Sequence, residues 1–206
     1  LLNNGANPKY SRWGRNCLHS AILAGNSELV KIMIEHPEHL NLVNSVTSGD
    51  DTALHLATYD NRIDIVKILL KSPRINNINK KTTDGSSNRD DYGALVGETP
   101  LHIALRRANE WGEKKIAKLL LQDDRTLLLK NGSWLGKDKE PIYLTNDEEL
   151  QTLIIKRMTP RKKLEFRRKI EEENVKNQKD YKKAEERRQK EMPKYYQSIK
   201  QQREKM

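Results

Sequence analysis

The side chains in this sequence that could bind a metal or act as nucleophiles include five histidines and one cysteine. Cys17 and His19 are separated by one residue, and His36 and His39 follow them, so the four together resemble a set of zinc ligands. Zinc ligands must converge on one point, whereas these two pairs precede and follow a pair of predicted helices. The sequence therefore predicts no metal site, and a single cysteine excludes an intramolecular disulfide.

A second candidate for chemistry is the segment GSWLGKD at residues 132–138, which resembles the phosphate-binding loop G-x-x-x-x-G-K-[ST]. It has three residues between the glycines instead of four, and Asp138 stands where the loop needs a hydroxyl for Mg²⁺. The sequence also contains no G-x-S-x-G and no H-E-x-x-H motif. It therefore predicts no catalytic residue, no cofactor and a function that is not enzymatic.

Three of the histidines occupy the same place in a repeated segment. Aligned on His19, His55 and His102, the segments read NCLHSAILAGNSELVKIMI, TALHLATYDNRIDIVKILL and TPLHIALRRANEWGEKKIAKLLL. Each continues from a polar residue and Leu-His-x-Ala into a second apolar helix. A catalytic site needs one histidine with a placed partner, so a histidine that recurs in every segment indicates a structural role.

These segments resemble the ankyrin repeat, a unit of roughly 33 residues that carries T-P-L-H-x-A at the start of the first of two antiparallel helices. Residues 98–104, ETPLHIA, match that motif fully, and the resemblance covers about residues 1–158. It implies an all-α solenoid of about four helix-turn-helix repeats with short β-hairpin loops. The last repeat, residues 140–158, is degenerate because Tyr143 stands where the histidine is expected.

Two insertions distinguish the third aligned segment from the others. About fourteen residues beyond the family length lie between Leu70 and Gly97, and their Gly, Ser, Asn and Asp content predicts a long loop at a hairpin tip. About three more residues lie around Trp111 and Gly112, at the predicted turn between the two helices. Insertions in a solenoid gather on one face, which is often the face that binds a partner.

The resemblance implies a protein partner, held by the hairpin tips and by the concave face of the first helices. Several residues at these positions are Trp, Tyr or Arg, the types that dominate interface hot spots. The residues expected to contact the partner are Arg12, Trp13, Arg15, Asp51, Tyr59, Asp60, Glu98, Arg106, Arg107 and Trp111.

The basic character of the chain belongs to its C-terminal part. Residues 161–206 contain 17 Lys or Arg and 9 Asp or Glu, so they hold +8 of the total charge of +10. Pro160 favours the start of a helix, opposite charges recur four residues apart, and Pro193 is expected to break that helix. The sequence thus predicts two domains, an ankyrin repeat domain at 1–159 and a basic helical extension at 160–206.

This extension supports an alternative function, in which the basic helix contacts nucleic acid or an anionic membrane and the repeats serve as a scaffold. The nine acidic residues interleaved with the basic ones weaken that interpretation. The sequence contains no run of about eighteen consecutive apolar residues, so it predicts no transmembrane segment. Together with the single cysteine, this favours an intracellular protein in the cytoplasm, with the nucleus as the alternative.

Overall fold

The computed structural model describes residues 14–36, 40–83, 96–128 and 140–203. The chain divides into two compact units, Leu1–Arg157 and Met158–Met206. The helices of the first unit are α1 (Cys17–Leu23), α2 (Ser27–Glu35), α3 (Leu40–Val43), α4 (Ala53–Tyr59), α5 (Ile63–Lys71), α6 (Pro100–Trp111), α7 (Lys114–Gln122), a 3₁₀ helix (Pro141–Leu144) and α8 (Glu148–Arg157). The second unit contains α9 (Pro160–Arg203).

The first unit is a two-layer stack of helix pairs. The first helices α1, α4 and α6 and the 3₁₀ helix pack side by side in one row, and α2, α5, α7 and α8 form the second row. The apolar side chains of each short helix become buried only when a neighbouring repeat packs against it. The largest fully buried side chains include Leu18, Ile22, Leu54, Leu56, Leu69, Leu101, Leu105 and Leu120. The expected ankyrin solenoid is therefore confirmed.

Each first helix starts with the same capping box, in which the repeated histidine binds the N-cap residue. In α4, the backbone N–H of Thr52 donates to Nδ1 of His55 at 3.1 Å, and the backbone N–H of His55 donates to Oγ1 of Thr52 at 3.3 Å. Because Nδ1 accepts, the neutral imidazole carries its proton on Nε2, which lies 3.1 Å from the carbonyl oxygen of Glu98. The equivalent pairs are Asn16 with His19 and Thr99 with His102.

These histidines are structural, as the repeat predicts. His19 and His55 are almost completely buried, and burial lowers the pKa of each from its ordinary value of 6.5 to about 4. Both imidazoles are therefore neutral at pH 7. Each satisfies backbone groups at a helix start that would otherwise be left without partners.

Hairpin residues on both sides of the long insertion are described, whereas residues 84–95 within it lie outside the described residues. In the preceding repeat, the backbone N–H of Thr47 donates to the carbonyl of Asp51 at 3.0 Å, and Val46 and Thr52 form an antiparallel bridge. In the next repeat, Thr82 replaces Thr47 and Glu98 replaces Asp51, with the N–H of Thr82 donating to the carbonyl of Glu98 at 2.9 Å. Thr82 and Glu98, which lie on either side of the inserted segment, are thus joined by a backbone hydrogen bond.

The second insertion lengthens α6 and not the turn that follows it. The left-handed residue that ends the first helix is Gly25 after α1, Asn61 after α4 and Gly112 after α6. It follows the repeat histidine by 6, 6 and 10 residues, so the insertion is four residues long and not three. Four residues make about one helical turn, so α6 gains a turn without rotating its buried face.

The degenerate last repeat replaces its first α-helix with the 3₁₀ helix Pro141–Leu144. Tyr143, which stands in place of the histidine, is 42% exposed. Its second helix is nevertheless capped well, because Oδ1 of Asp147 accepts from the backbone N–H of Leu150 at 3.0 Å. This repeat therefore retains the packing of the family with a weaker first helix.

Three arginines hold successive repeats together by a contact that the aligned motif does not show. Arg74 donates from Nη1 to the carbonyl oxygens of Ile34 at 3.2 Å and His36 at 2.9 Å, at the C-terminal end of α2. Arg125 contacts the carbonyls of Leu70 and Ser72 at the end of α5, and Arg157 contacts those of Leu121 and Asp123 at the end of α7. Each arginine satisfies backbone acceptors at the end of a second helix, where a cation is also favoured by the helix dipole.

The second unit consists mainly of α9, which begins at Pro160 as expected. The expected break at Pro193 is wrong, because the helix continues to Arg203. A proline inside a helix removes one backbone hydrogen bond. The Lys, Gln and Arg residues that follow it are good helix formers, which favours continuation.

Candidate partner-binding surface

Eight of the ten residues expected to contact a partner are described by the structure, whereas Arg12 and Trp13 lie outside the described residues. The same is true of GSWLGKD at 132–138 and of His39. The eight described residues lie at the hairpins and along the row of first helices. They are Arg15, Asp51, Tyr59, Asp60, Glu98, Arg106, Arg107 and Trp111.

Glu98 and Arg106 bind each other. Nε and Nη2 of Arg106 donate to the two carboxylate oxygens of Glu98 at 3.2 and 3.1 Å. The side chain of Glu98 is only 3% exposed and that of Arg106 is 21% exposed. A bidentate pair with one buried member joins the hairpin to α6, so both residues also have a structural role.

Arg107 lies at the centre of a group that we call the Arg107 cluster, which consists of Tyr59, Arg107, Trp111 and Glu113. The guanidinium carbon is 4.6 Å from the ring centroid of Trp111 and 5.8 Å from that of Tyr59. Nε and Nη2 of Arg107 approach Oε2 of Glu113 at 2.7 and 2.5 Å. The cation therefore contacts two aromatic rings while a carboxylate fixes its orientation.

Within the Arg107 cluster, exposure is distributed unevenly. The side chain of Arg107 is 16% exposed, whereas Trp111 is 55% exposed. Trp111 owes this position to the extra turn of α6, because the shorter α4 has no equivalent residue. Trp111 is therefore a large aromatic side chain that packs against Arg107 and is otherwise largely exposed to solvent.

Asp60 extends this surface to the neighbouring repeat. Burial raises the pKa of its carboxyl group, and the positive charges of Arg62, Arg107 and Arg15 oppose that shift. Nε of Arg62 lies 3.9 Å from Oδ2 of Asp60. The carboxylate therefore lies within the field of three arginines, which offsets part of the effect of burial on its pKa.

Asp51 has a different environment, inside its own hairpin. Burial raises the pKa of its carboxyl group, and the hydroxyl of Thr47, which lies 3.1 Å from Oδ2, opposes the shift. Arg15 is close enough to lower the pKa of both Asp51 and Asp60. The arrangement thus links the hairpin to the first-helix row through Arg15, while Asp51 itself stabilises the hairpin.

Glu113 and Arg62 were not identified from the sequence, although both orient members of this surface. Glu113 follows the turn after α6, and Arg62 precedes α5, where it also donates from Nη2 to the carbonyl of Leu23 at 3.3 Å. Neither belongs to the repeat motif. Each is a charged residue directly after the left-handed residue of its turn, Asn61 or Gly112, and this is the signal that could have indicated them.

The described residues offer little for catalysis or metal binding. No group of three or more His, Cys, Asp or Glu side chains converges among them. Burial raises the pKa of the Cys17 thiol, with backbone hydrogen bonds opposing the shift, so the reactive thiolate is disfavoured. Every helix that the structure describes is too short or too polar to cross a membrane.

Comparison with known families gives two matches. A model described as ankyrin repeats in three copies matches residues 1–84, and a model of a single ankyrin repeat matches residues 96–132. A search of curated proteins finds no match. The degenerate repeat at 140–158 lies outside both matches, although it packs on the array as the other repeats do. With more than half of its length matched, and with its stacked helix pairs and capping histidines, this chain belongs to the ankyrin repeat family.

Proposed function

We propose that this chain is a non-enzymatic module that binds a protein partner on the row of first helices, with Trp111 as the central contact. Ankyrin repeats are generally protein–protein interaction modules. The observation that supports this particular surface is the exposed ring of Trp111 stacked on Arg107. Tyr59 and Asp60 extend the surface towards Arg15 at the hairpins, and Arg12 and Trp13, which lie outside the described residues, are proposed to contact the same partner.

The rigidity of the Arg107 cluster favours binding. An exposed side chain loses rotamer freedom when a partner binds it, and that loss lowers affinity. Here Glu113 already holds Arg107, and Arg107 already contacts one face of the Trp111 ring. Trp, Tyr and Arg in such a group are the residue types that most often dominate binding energy.

The Glu98–Arg106 pair changes how this proposal should be tested. Replacement of Arg106 by an acidic residue would leave two carboxylates facing each other at a buried position, so the fold itself would be damaged. Trp111 is a better probe because it is more than half exposed. Its removal changes the surface and leaves the buried core in place.

The experiment is site-specific photo-crosslinking in cell extract, with a photoreactive phenylalanine analogue at position 111. The control carries the same analogue at Ile32, which is similarly exposed at 52% but lies on α2 in the other row. We expect a protein adduct from position 111 and none of the same mass from position 32. Trp111→Ala protein, added in excess as a competitor, should suppress the adduct at least tenfold less well than the unmodified chain.

Two results would contradict the proposal. If both positions give the same adducts, the contact is not specific to the row of first helices. If the Trp111→Ala competitor is as effective as the unmodified chain, Trp111 is not a central contact. Circular dichroism of each variant must first show an unchanged helix content.

A further inference from the structure

A row of basic side chains runs along one side of α9. Lys176, Lys179, Lys183, Arg187 and Lys190 follow each other at intervals of three or four residues, and all five are exposed. At about 100° per residue they fall within a sector of about 80° and extend over about 21 Å of helix. We call these five residues the basic row.

The continuity of α9 creates this row. In the linear sequence, acidic residues interrupt the basic ones, which would weaken the attraction for a polyanion if the charges were spread evenly around the chain. On the helix, however, Asp180 and Glu186 lie about 60° to either side of Lys183, and Glu185 lies on the opposite side. The acidic residues thus flank the basic row and do not divide it.

Within the basic row, neighbouring side chains carry the same charge. Like charges three or four residues apart repel each other, and four such neighbouring pairs occur in this row. Among the described side chains, no ion pair involves any of the five. A ligand with closely spaced negative charges would relieve this repulsion.

We propose that the basic row of α9 binds the phosphate backbone of a nucleic acid. The row is long and narrow, as a sugar–phosphate strand is, and consecutive charges about 5–6 Å apart can each approach a different phosphate. No base-reading Asn or Gln lies on the row itself, so the contact is to the backbone and does not depend on base sequence.

The composition of α9 favours a nucleic acid over an anionic membrane. A helix that lies on a membrane buries an apolar face beside its basic face. Between residues 176 and 190 the apolar residues are Tyr181 and Ala184, and Tyr181 is 73% exposed. A flat lipid surface would also bring Asp180 and Glu186 close to lipid phosphates, whereas a narrow strand along the centre of the row leaves them at its edges.

The experiment measures fluorescence anisotropy of the full chain with labelled duplexes of about 24 base pairs, one of DNA and one of RNA, over a range of salt concentrations. If all five cations reach phosphates, the slope of log K against log salt for the DNA duplex should be about −4.5. The variant Lys179→Gln/Lys183→Gln/Arg187→Gln removes three charges from the row. Its slope should be about −2 and its affinity at least tenfold lower. Comparison of the two duplexes tells which nucleic acid the row prefers.

A matched control separates the basic row from net charge. Arg167→Gln/Lys182→Gln/Arg188→Gln also removes three exposed positive charges from α9, but from other sides of the helix. We expect this variant to bind within about threefold of the unmodified chain, with a nearly unchanged slope. Helix content measured by circular dichroism should be equal in both variants, which rules out unfolding of α9 as the cause.

Three outcomes would overturn the proposal. Equal losses in the two variants would mean that only total charge matters. Tighter binding to vesicles of equimolar phosphatidylserine and phosphatidylcholine than to either duplex would identify a membrane contact. Equally effective competition by polyglutamate would identify a general preference for acidic chains.

Discussion

Helices α4 and α6 start with the same capping box but differ in length, with 7 residues in α4 and 12 in α6. At their N-termini, Thr52 with His55 and Thr99 with His102 form the same buried hydrogen bonds. At their C-termini they diverge, because α4 ends at Tyr59 and α6 continues to the exposed Trp111. The N-terminal ends, which share the capping box, therefore determine how the two helices stack. The C-terminal ends, which differ in length, determine which side chains are exposed.

This difference shows how a repeat can change its surface without losing its place in the stack. An insertion of one helical turn leaves the buried face of α6 in phase, and Leu101, Ala104, Leu105 and Ala108 all remain buried. The extra turn then carries Glu110 and Trp111 beyond the level at which α4 ends. An insertion of two residues would instead have turned the residues after it by about 200°, towards the opposite side of the helix.

The largest expected effect concerns the capped N-terminal ends of the first helices, where the repeats share a buried histidine. His19 and His55 have pKa values of about 4 in the folded chain and an ordinary value of 6.5 when unfolded. The unfolded chain therefore binds more protons below pH 6.5, and stability falls as the pH decreases towards 4. The free energy of unfolding should decrease by on the order of 3 kcal/mol per histidine across that window.

Urea denaturation followed by circular dichroism at successive pH values from 7 to 4 measures this loss. A His55→Gln variant should be less stable at pH 7 but should lose less stability on acidification, because one of the buried imidazoles is gone. The raised pKa values of Asp51 and Asp60 act in the opposite direction, since the folded chain favours their protonated forms. Parallel curves for the two proteins would show that His55 does not contribute to the acid sensitivity.

The next effect tests a contact that α6 has and α4 lacks. Arg106→Met keeps much of the side-chain length but leaves the carboxylate of Glu98, 3% exposed, without its cation. Loss of one member of a buried ion pair costs about 3–5 kcal/mol, and the partial exposure of Arg106 reduces the expected loss here to about 2 kcal/mol. Urea denaturation measures this loss as a lower transition midpoint.

The double variant Arg106→Met/Glu98→Gln should recover part of that stability, because the neutral amide is less costly to bury than an unpaired carboxylate. Additive losses in the two single variants would contradict this coupling. The same double-variant analysis has no counterpart in α4. The equivalent position there is Tyr59, four residues after its histidine, and it contacts Arg107 instead of a hairpin carboxylate.

The motif T-P-L-H-x-A was sufficient to predict the stacked helices and the capping histidines. It could not predict contacts between residues that lie outside the motif. Arg106 and Glu98 were both expected to face a partner, yet they bind each other across eight residues of chain. Glu113 orients Arg107 only because the extra turn brings both to the same end of α6.

The arginines that contact preceding repeats, Arg74, Arg125 and Arg157, were missed for a similar reason. They are 51 and 32 residues apart, so no regular spacing reveals them. The break expected at Pro193 was wrong because one lost hydrogen bond does not outweigh favourable helix formers on both sides. Local composition indicates where a helix is favoured, but contacts at its ends depend on three-dimensional proximity.

The smallest expected effect tests the residue that ends each first helix. Gly112 after α6 has φ 72°, and the equivalent Asn61 after α4 has φ 53°, so both lie in the left-handed region. A Cβ at Gly112 would have no atom within 4 Å, so Gly112→Ala changes only the backbone preference. It should lower the free energy of unfolding by about 1 kcal/mol. Asn61→Gly should change it by less than about 0.5 kcal/mol, since Asn already tolerates this conformation.

The two urea midpoints, measured beside that of the unmodified chain, test whether α4 and α6 end by the same mechanism. A larger loss at Asn61 than at Gly112 would show that the Asn61 side chain stabilises the end of α4 by contacts that α6 does not have.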